Sequence, residues 1–404
     1  MMTDTINNLC RACGLAELEF LFDLGPQPLA GGFLSRDENA AVHERTYPLP
    51  IHVCRNCGLV QSTFVIPSDT LFVNYFFSSS TIDYLVQHFL DYAAWIKEKL
   101  DPQFVVEFGC NDGILLKPLE SLGIRTCGVD ISHNITDLAR KKGLNVITGY
   151  FNVNVARQIR QDYGAVDVVT GSNAFPHNDH PEEILLAALE ALKDNGHICL
   201  EMMYAGSLLE QLQWDSMYHE HLSYFCLSTL EVLLNRFGFH AVHAEIVPMH
   251  AGSLRVVAAK DPNEQPDSTV EMLLSKEKAM ALTELETWQT FSKATQRQIQ
   301  VVKETLANLG KNKRIWGYGA AGRATMWVNA CKMGYLEAIV DASPLRAGRL
   351  MPGTHTPIVF PDALRVNPPD YILVTAWNYF EAIRRKEAWY DGIWIVPAPY
   401  LQFI

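Results

Sequence analysis

FVVEFGCNDGILLKPLESLGIRTCGVDIS, Phe104 to Ser132, is the stretch whose reading fixes the fold class. Phe104, Val105 and Val106, running into Glu107 and Phe108, have the continuous apolar character of a buried parallel strand. Gly109-Cys110-Asn111-Asp112-Gly113 then reads as the turn that opens a helix. About twenty residues further on, Cys127-Gly128-Val129-Asp130 ends the next strand on a carboxylate. A strand, a glycine turn, a helix and a second strand ending in an acid form the opening unit of a doubly wound sheet. Ligands of such sheets lie beyond the carboxyl ends of the strands.

The spacing of this turn selects the ligand. A dinucleotide fingerprint is GxGxxG, whereas here the glycines stand as GxxxG with Asn111 and Asp112 between them. Glu107 before the turn and Asp112 within it, with no basic residue there, would repel phosphates. The arrangement suits S-adenosylmethionine, which is cationic at sulfur and carries no phosphate. Glu107, Gly109, Asn111, Asp112 and Asp130 are therefore expected to form the donor site, with Asp130 accepting from the ribose hydroxyls.

Downstream, helices and strands continue to alternate, which predicts a parallel sheet. Val166 to Thr170 is a central strand running into Gly171-Ser172-Asn173-Ala174-Phe175-Pro176-His177, so Asn173 and His177 fall where donor and substrate meet. After the strand Gly196 to Glu201 comes the densest chemistry in the chain, Tyr218-His219-Glu220-His221, followed by Ser223-Tyr224-Phe225. Two imidazoles, a phenol and a carboxylate can supply a general base, its orienting partner and a donor to an oxyanion. HEH lacks the HExxH spacing of a metalloprotease, although an extended segment would put His219 and His221 on one face, where a metal could sit. Tyr224 and, on the turn and strand Val247 to Ala258, His250, Ser253 and Arg255 are candidate substrate contacts.

Two further segments flank this core. Cys10-Arg11-Ala12-Cys13 and Cys54-Arg55-Asn56-Cys57, each followed by glycine, are two knuckles of one tetrahedral site. Cys10, Cys13, Cys54 and Cys57 leave no open position, so zinc there is expected to be structural. The segment from Leu71 to Ser80 is aromatic and hydroxyl-rich, and Tyr75 and Ser78 to Ser80 either point into a site or pack between domains. A helix from Ile82 to Leu100 follows. Asp261 to Ser268 reads as a linker, and after a long helical stretch Gly317-Tyr318-Gly319-Ala320-Ala321-Gly322 is a true GxGxxG, with Asp341 ending the next strand. That turn keeps open a different reading, a nicotinamide-dependent oxidoreductase. The expected division is residues 1–66, 67–260 and 261–404: a small zinc-binding domain, a doubly wound α/β methyltransferase domain and a smaller Rossmann-like α/β domain.

Composition narrows the class. A net charge of −12 over 404 residues, with no basic run, argues against a nucleic-acid partner. With no leader pattern and no apolar run of spanning length, the expectation is a cytoplasmic protein without a membrane partner, with a monomer favoured. The nine cysteines fit metal ligands plus reduced thiols better than a disulfide framework.

With these motifs in place, the chain resembles the S-adenosylmethionine-dependent sugar C-methyltransferases of deoxysugar biosynthesis. The resemblance runs along the whole chain: the CxxC pairs, LGPQPLAGGF from Leu24, EFGCNDG from Glu107, the Asn173 to His177 loop, YHEHLSYF from Tyr218, HAGSLR from His250, YGAAGR from Tyr318 and PGTHTPI from Pro352. It implies methylation of a carbon next to the ketone of a nucleotide-linked 4-keto-deoxysugar, commonly a thymidine-diphosphate sugar. It also implies His221 as base, Tyr218, Glu220 and His177 in the same pocket, and a C-terminal domain that helps hold the sugar nucleotide rather than a nicotinamide. Two departures stand out. Phe76 and Phe77 occupy positions where the family commonly has a second tyrosine, which leaves any phenol role there to Tyr75, and Ala251 replaces a usual glycine beside His250.

Overall fold

The Gly109 turn and the Asn173 loop lie side by side because the chain reverses its strand order between them. In the computed structural model, which describes residues 4–36, 44–73 and 78–404, a seven-stranded sheet runs Val146–Thr148, Arg125–Asp130, Phe104–Phe108, Val166–Ser172, Leu192–Met203, Ser253–Ala259, His240–Val247. All run parallel except Ser253–Ala259, which pairs antiparallel with both its neighbours. All residues of Phe104–Phe108 are buried, as expected of a strand covered on both faces. Building outward from it in both directions creates the switch point at which open sheets bind ligands. At that point Gly109 has a φ of +64°, and a Cβ there would lie 2.4 Å from the Ala174 Cβ, so conformation and space both require glycine.

The expected helix after the aromatic stretch spans Asp83–Leu100 and stops where Asp101 turns left-handed at φ 41°, ahead of Pro102. Leu192–Met203 is longer than the strand read from the sequence, because the preceding helix, Pro181–Ala191, ends directly into it.

The N-terminal sheet contains a strand that sequence order does not announce. Leu18–Asp23, Pro50–Cys54 and Val60–Ser62 pair antiparallel, and the fourth strand is Ser223–Tyr224, whose residues pair with Gln61 and Val60. The residues just after the YHEH cluster are thus an edge strand of the zinc-binding segment.

The C-terminal sheet runs Ile358–Val359, Ile339–Val340, Ile315–Tyr318, Tyr371–Val374, Ile393–Val396, Gln402–Phe403, parallel except for the last. It is locked to the central sheet by aromatic residues. Trp214 packs edge-on to Trp327 with centroids 4.5 Å apart, and the buried Asp215 carboxylate accepts from the indoles of Trp327 at 2.9 Å and Trp377 at 2.7 Å. The long helix Leu285–Leu309 reaches the zinc-binding sheet, where Ser292 donates to the Leu21 carbonyl at 3.0 Å. The expected linker is also tied down: Asp267 caps the helix Ser268–Ala279, and its carboxylate meets His243 Nδ1 at 2.6 Å. Among the described residues no helix is long and apolar enough to cross a membrane.

Candidate active site

A cavity of about 230 Å³ opens beyond the carboxyl ends of the central strands, lined by Gly109, Asn111, Asp130, Ser132, Asn173 and His177 among others. Asn111 and Asn173 adopt left-handed backbone at φ 50° and 55°, a conformation asparagine tolerates better than most residues. Asp130 is oriented by the backbone N–H groups of Asn111 at 3.0 Å and Ser132 at 2.9 Å. Burial pushes its carboxyl pKa upward against those two donors. Behind it, Glu107 is buried, and its Oε2 has no hydrogen-bond partner among the described residues. Burial, and then the neighbouring carboxylates of Asp130 and Asp112, raise the Glu107 pKa well above the ordinary range. Among the described residues, those lining the cavity include no lysine or arginine. A ribose-sized acid, an unmatched buried carboxyl and the lack of phosphate-binding cations fit S-adenosylmethionine. Glu107, Gly109, Asn111, Asp130 and Asn173 are the residues that would hold it.

Asp112 belongs to a different task. Its carboxylate accepts from Ser78 Oγ at 2.7 Å, from the backbone and hydroxyl of Ser80, and pairs with Lys142 at 3.2 Å. It fastens the segment after the aromatic stretch over the cavity instead of lining it. Tyr75 lies outside the described residues.

Four rings form a column leading from the cavity into the interior. Phe72 stacks on His177 with centroids 5.6 Å apart, His177 stacks on His221 at 5.0 Å, and Tyr218 meets His221 at 3.9 Å. His221 Nδ1 lies 2.7 Å from the Ser216 carbonyl, so the N–H sits on Nδ1 and the lone pair on Nε2. Burial first, then His177, Arg323 and His250, hold the His221 pKa well below the histidine range. Burial also lowers His177 and His250 to about 4 each. All three imidazoles are therefore neutral. Tyr218 is moved the other way by burial and by the Glu220 carboxylate and stays protonated, a hydrogen-bond donor. Glu220 is raised to about 7 by burial, against Gly31 of the zinc-binding segment, where a Cβ would stand 3.1 Å from its Oε1.

Several residues expected to touch substrate are occupied elsewhere. Arg255 is directed into the sheet: Nε and Nη2 donate to Glu201 at 3.0 and 2.8 Å, Nη1 to Glu245 at 2.9 Å, and the guanidinium covers the Tyr92 ring. A buried guanidinium requires such partners, and these two carboxylates stand on the neighbouring strands, directly across from it. Ser253 is buried and donates to the Met249 carbonyl at 3.1 Å, while the buried Tyr224 hydroxyl donates to the His221 carbonyl at 2.9 Å. Both shape the loops that carry His250 and His221. His250 itself lines the cavity. His219 turns away from His221, its Nε2 donating to the Tyr47 and Pro48 carbonyls at 3.3 and 3.2 Å. Among the described residues, His219 and His221 belong to no group of three or more side chains placed to share a metal ion.

The cysteines converge. Cys10 and Cys57 Sγ are 3.5 Å apart, Cys13 and Cys54 3.6 Å, and all four sulfurs lie within 4.8 Å of one another. Sulfur separations near 3.8 Å follow from tetrahedral Zn–S bonds of about 2.3 Å, so the set fits a closed zinc site.

The C-terminal GxGxxG is a packing surface. A Cβ at Gly322 would stand 3.1 Å from the Tyr218 ring, and Ala320 donates its N–H to Asp341 at 2.7 Å, a carboxylate already paired with Arg346 at 3.2 Å. The next residue, Arg323, donates to Gln213 Oε1 at 2.7 Å and to the His250 carbonyl at 3.2 Å. Sequence reading did not single out Arg323, Phe72 or Ser216. Only the position of Arg323 next to the glycine turn could have flagged it, since the other two act through packing and a backbone carbonyl.

A donor cavity at the switch point, beside neutral histidines and a protonated phenol, defines an S-adenosylmethionine-dependent methyltransferase with a zinc-binding N-terminal segment. Three family descriptions match in succession: a zinc binding domain over residues 10–72, a methyltransferase domain over 79–244 and a C-methyltransferase C-terminal domain over 248–399. The chain is 32% identical over 402 residues to the C-methyltransferase NovU of Streptomyces niveus, covering 96% of this chain and 95% of that protein. The protein belongs to this C-methyltransferase family. A ubiquinone biosynthesis O-methyltransferase of Cupriavidus pinatubonensis is 30% identical over 96 residues, 23% of this chain and 39% of that one. Among solved structures, a SAM-dependent methyltransferase from Archaeoglobus fulgidus aligns at 19% identity and a TM-score of 0.37, over 44% of this chain and 94% of that one. The nicotinamide reading of the C-terminal turn gains no support from these relatives.

Proposed function

We propose that the protein methylates a carbon adjacent to the ketone of a nucleotide-linked 4-keto-deoxysugar, as a step of deoxysugar biosynthesis. The observation that carries this reading is the state of His221, a partly exposed neutral imidazole whose Nδ1–H is held by Ser216, which leaves Nε2 to accept a proton. A carbon next to a ketone becomes nucleophilic only after losing a proton. In this reading Nε2 takes that proton, and the C–H electron pair moves to the carbonyl oxygen as the enolate forms. Tyr218 and His177 donate to that oxygen, and Glu220 orients an imidazole or the sugar. S-adenosylmethionine, when bound, would supply an electrophilic methyl group, the S–CH3 bond breaking with its electron pair left on sulfur as S-adenosylhomocysteine. Return of the electron pair from the oxygen restores the ketone as the new carbon–carbon bond forms, and the proton leaves from His221. His250 is the remaining substrate contact on the cavity side.

The labour divides among the segments: 1–66 for zinc, 67–260 for the donor and chemistry, and 261–404 for closing the site and helping to hold the nucleotide. The test is to incubate the protein with methyl-labelled donor and a panel of nucleotide-linked keto sugars, and to place the label by NMR. A methyl group on carbon next to the ketone is the expected product. A methyl ether, or no product from any keto sugar, would refute the reading.

A further inference from the structure

Arg11 stands between the first two zinc-binding cysteines, and its side chain is almost wholly removed from solvent, 1% exposed. A guanidinium in that position needs a partner for its charge and for each of its N–H groups. It finds them beyond the cysteine knuckle, on its own segment at Ser62 and on the central domain at Asp179 and Leu222. Nε and Nη2 donate to one oxygen of Asp179 at 3.0 and 2.8 Å, and Nη1 donates to the carbonyls of Ser62 at 2.7 Å and Leu222 at 3.1 Å. Asp179 lies two residues after His177, and Leu222 is the residue after His221. A further bond closes the arrangement: the Leu222 N–H donates to the Pro176 carbonyl at 3.0 Å, and Pro176 directly precedes His177. Beyond Leu222 the chain pairs as a strand with Val60 and Gln61, and the Gln61 side chain accepts from the Arg11 N–H at 2.9 Å.

We propose that Arg11 is a positioning residue for methyl transfer: its guanidinium ties the cysteine knuckle to the two segments that carry His177 and His221 and sets the distance between those rings. The inference rests on the reading of His221 as the base. A general base works only at hydrogen-bond distance from its proton, and displacement by about 1 Å costs on the order of 100-fold in rate. The rings of His177 and His221 are held by separate loops, and stacking alone contributes too little to fix their separation. Charge-assisted bonds from a planar donor are the stronger constraint. On this view the zinc-binding segment contributes to the rate as well as to folding.

The test compares wild type, Arg11→Lys, Asp179→Asn, Asp179→Glu and His221→Ala. Three quantities are measured in each: zinc content, affinity for S-adenosylhomocysteine, and exchange of the hydrogen next to the ketone of an accepted keto sugar with deuterated solvent. Arg11→Lys keeps the charge but loses the fork, and Asp179→Asn lies outside the zinc-binding segment, so the result does not depend on either variant alone. Exchange should fall roughly 10- to 100-fold in both, with zinc and S-adenosylhomocysteine binding as in wild type, and Asp179→Glu should recover most of the rate. Wild-type exchange in Asp179→Asn, or loss of zinc or ligand affinity in step with loss of exchange, would overturn the proposal. If wild type and His221→Ala exchange alike, the base assignment itself fails, an outcome distinct from the other two.

Discussion

The Nδ1–H of His221 is held by the Ser216 carbonyl at 2.7 Å, which leaves Nε2 as the accepting nitrogen of a ring whose pKa burial keeps well below the usual histidine range. For a base the sign is simple. A depressed pKa means that the neutral, active form persists to lower pH, and the acid limb of the rate profile should lie below the ordinary value of about 6.5. A limb at or above that value, measured as kcat/KM for the sugar, would show that His221 is not the titrating base.

In the proposed reading Asp130 is the residue expected to matter most for donor affinity. Its carboxylate is already aligned by the Asn111 and Ser132 N–H groups. Asp130→Ala should weaken binding of S-adenosylhomocysteine by about 1.5 to 3 kcal/mol, as charge-assisted hydrogen bonds do. Titration calorimetry checks it, and unchanged affinity would place the ligand elsewhere.

Removing zinc should cost structure along with activity. Because the strand Ser223–Tyr224 is paired to the zinc-binding sheet, a collapse of that sheet frees the residues next to His221. Chelation, followed by circular dichroism and metal analysis, should show loss of about one zinc per chain together with loss of fold. Activity lost with fold and melting temperature intact would contradict a structural site.

Glu220 should make stability depend on pH. Its carboxyl is raised by burial from 4.5 to about 7, so its favourable neutral state is fully present below pH 4.5 and is lost as pH rises toward 7. Glu220→Gln removes that term. Relative to the variant, wild type should lose on the order of 3 kcal/mol of unfolding free energy between pH 4.5 and the region above 7, measured by denaturant titration. A difference that stays flat with pH would contradict the raised value.

Much of this site is legible in the sequence, for reasons that differ by residue. Gly109 and Asp130 are readable because the turn and the strand end are local events, set within about twenty residues. The cysteine pairs are readable because a tetrahedral ion demands that spacing. Arg255, beside a histidine and a turn, resembles a substrate clamp in sequence, but sheet pairing sets it across from Glu201 and Glu245. The partners of Asp112, Ser78 and Ser80, come from an earlier segment that the local turn pattern does not reveal. His219 and His221 are equivalent in sequence pattern, and what separates them is the Tyr47 and Pro48 carbonyls on one and Ser216 on the other. Local pattern carries the donor site, whereas contacts between segments distant in sequence carry the catalytic geometry.

The central claim is that His221 generates an enolate before any methyl group moves. Its most direct test is loss of deuterium from the carbon next to the ketone, followed by NMR, with S-adenosylhomocysteine in place of the methyl donor. Wild type should wash the label into solvent, and His221→Ala should do so roughly 10²- to 10⁴-fold more slowly while still binding S-adenosylhomocysteine. Label retained by wild type, or lost equally fast in His221→Ala, would contradict the account.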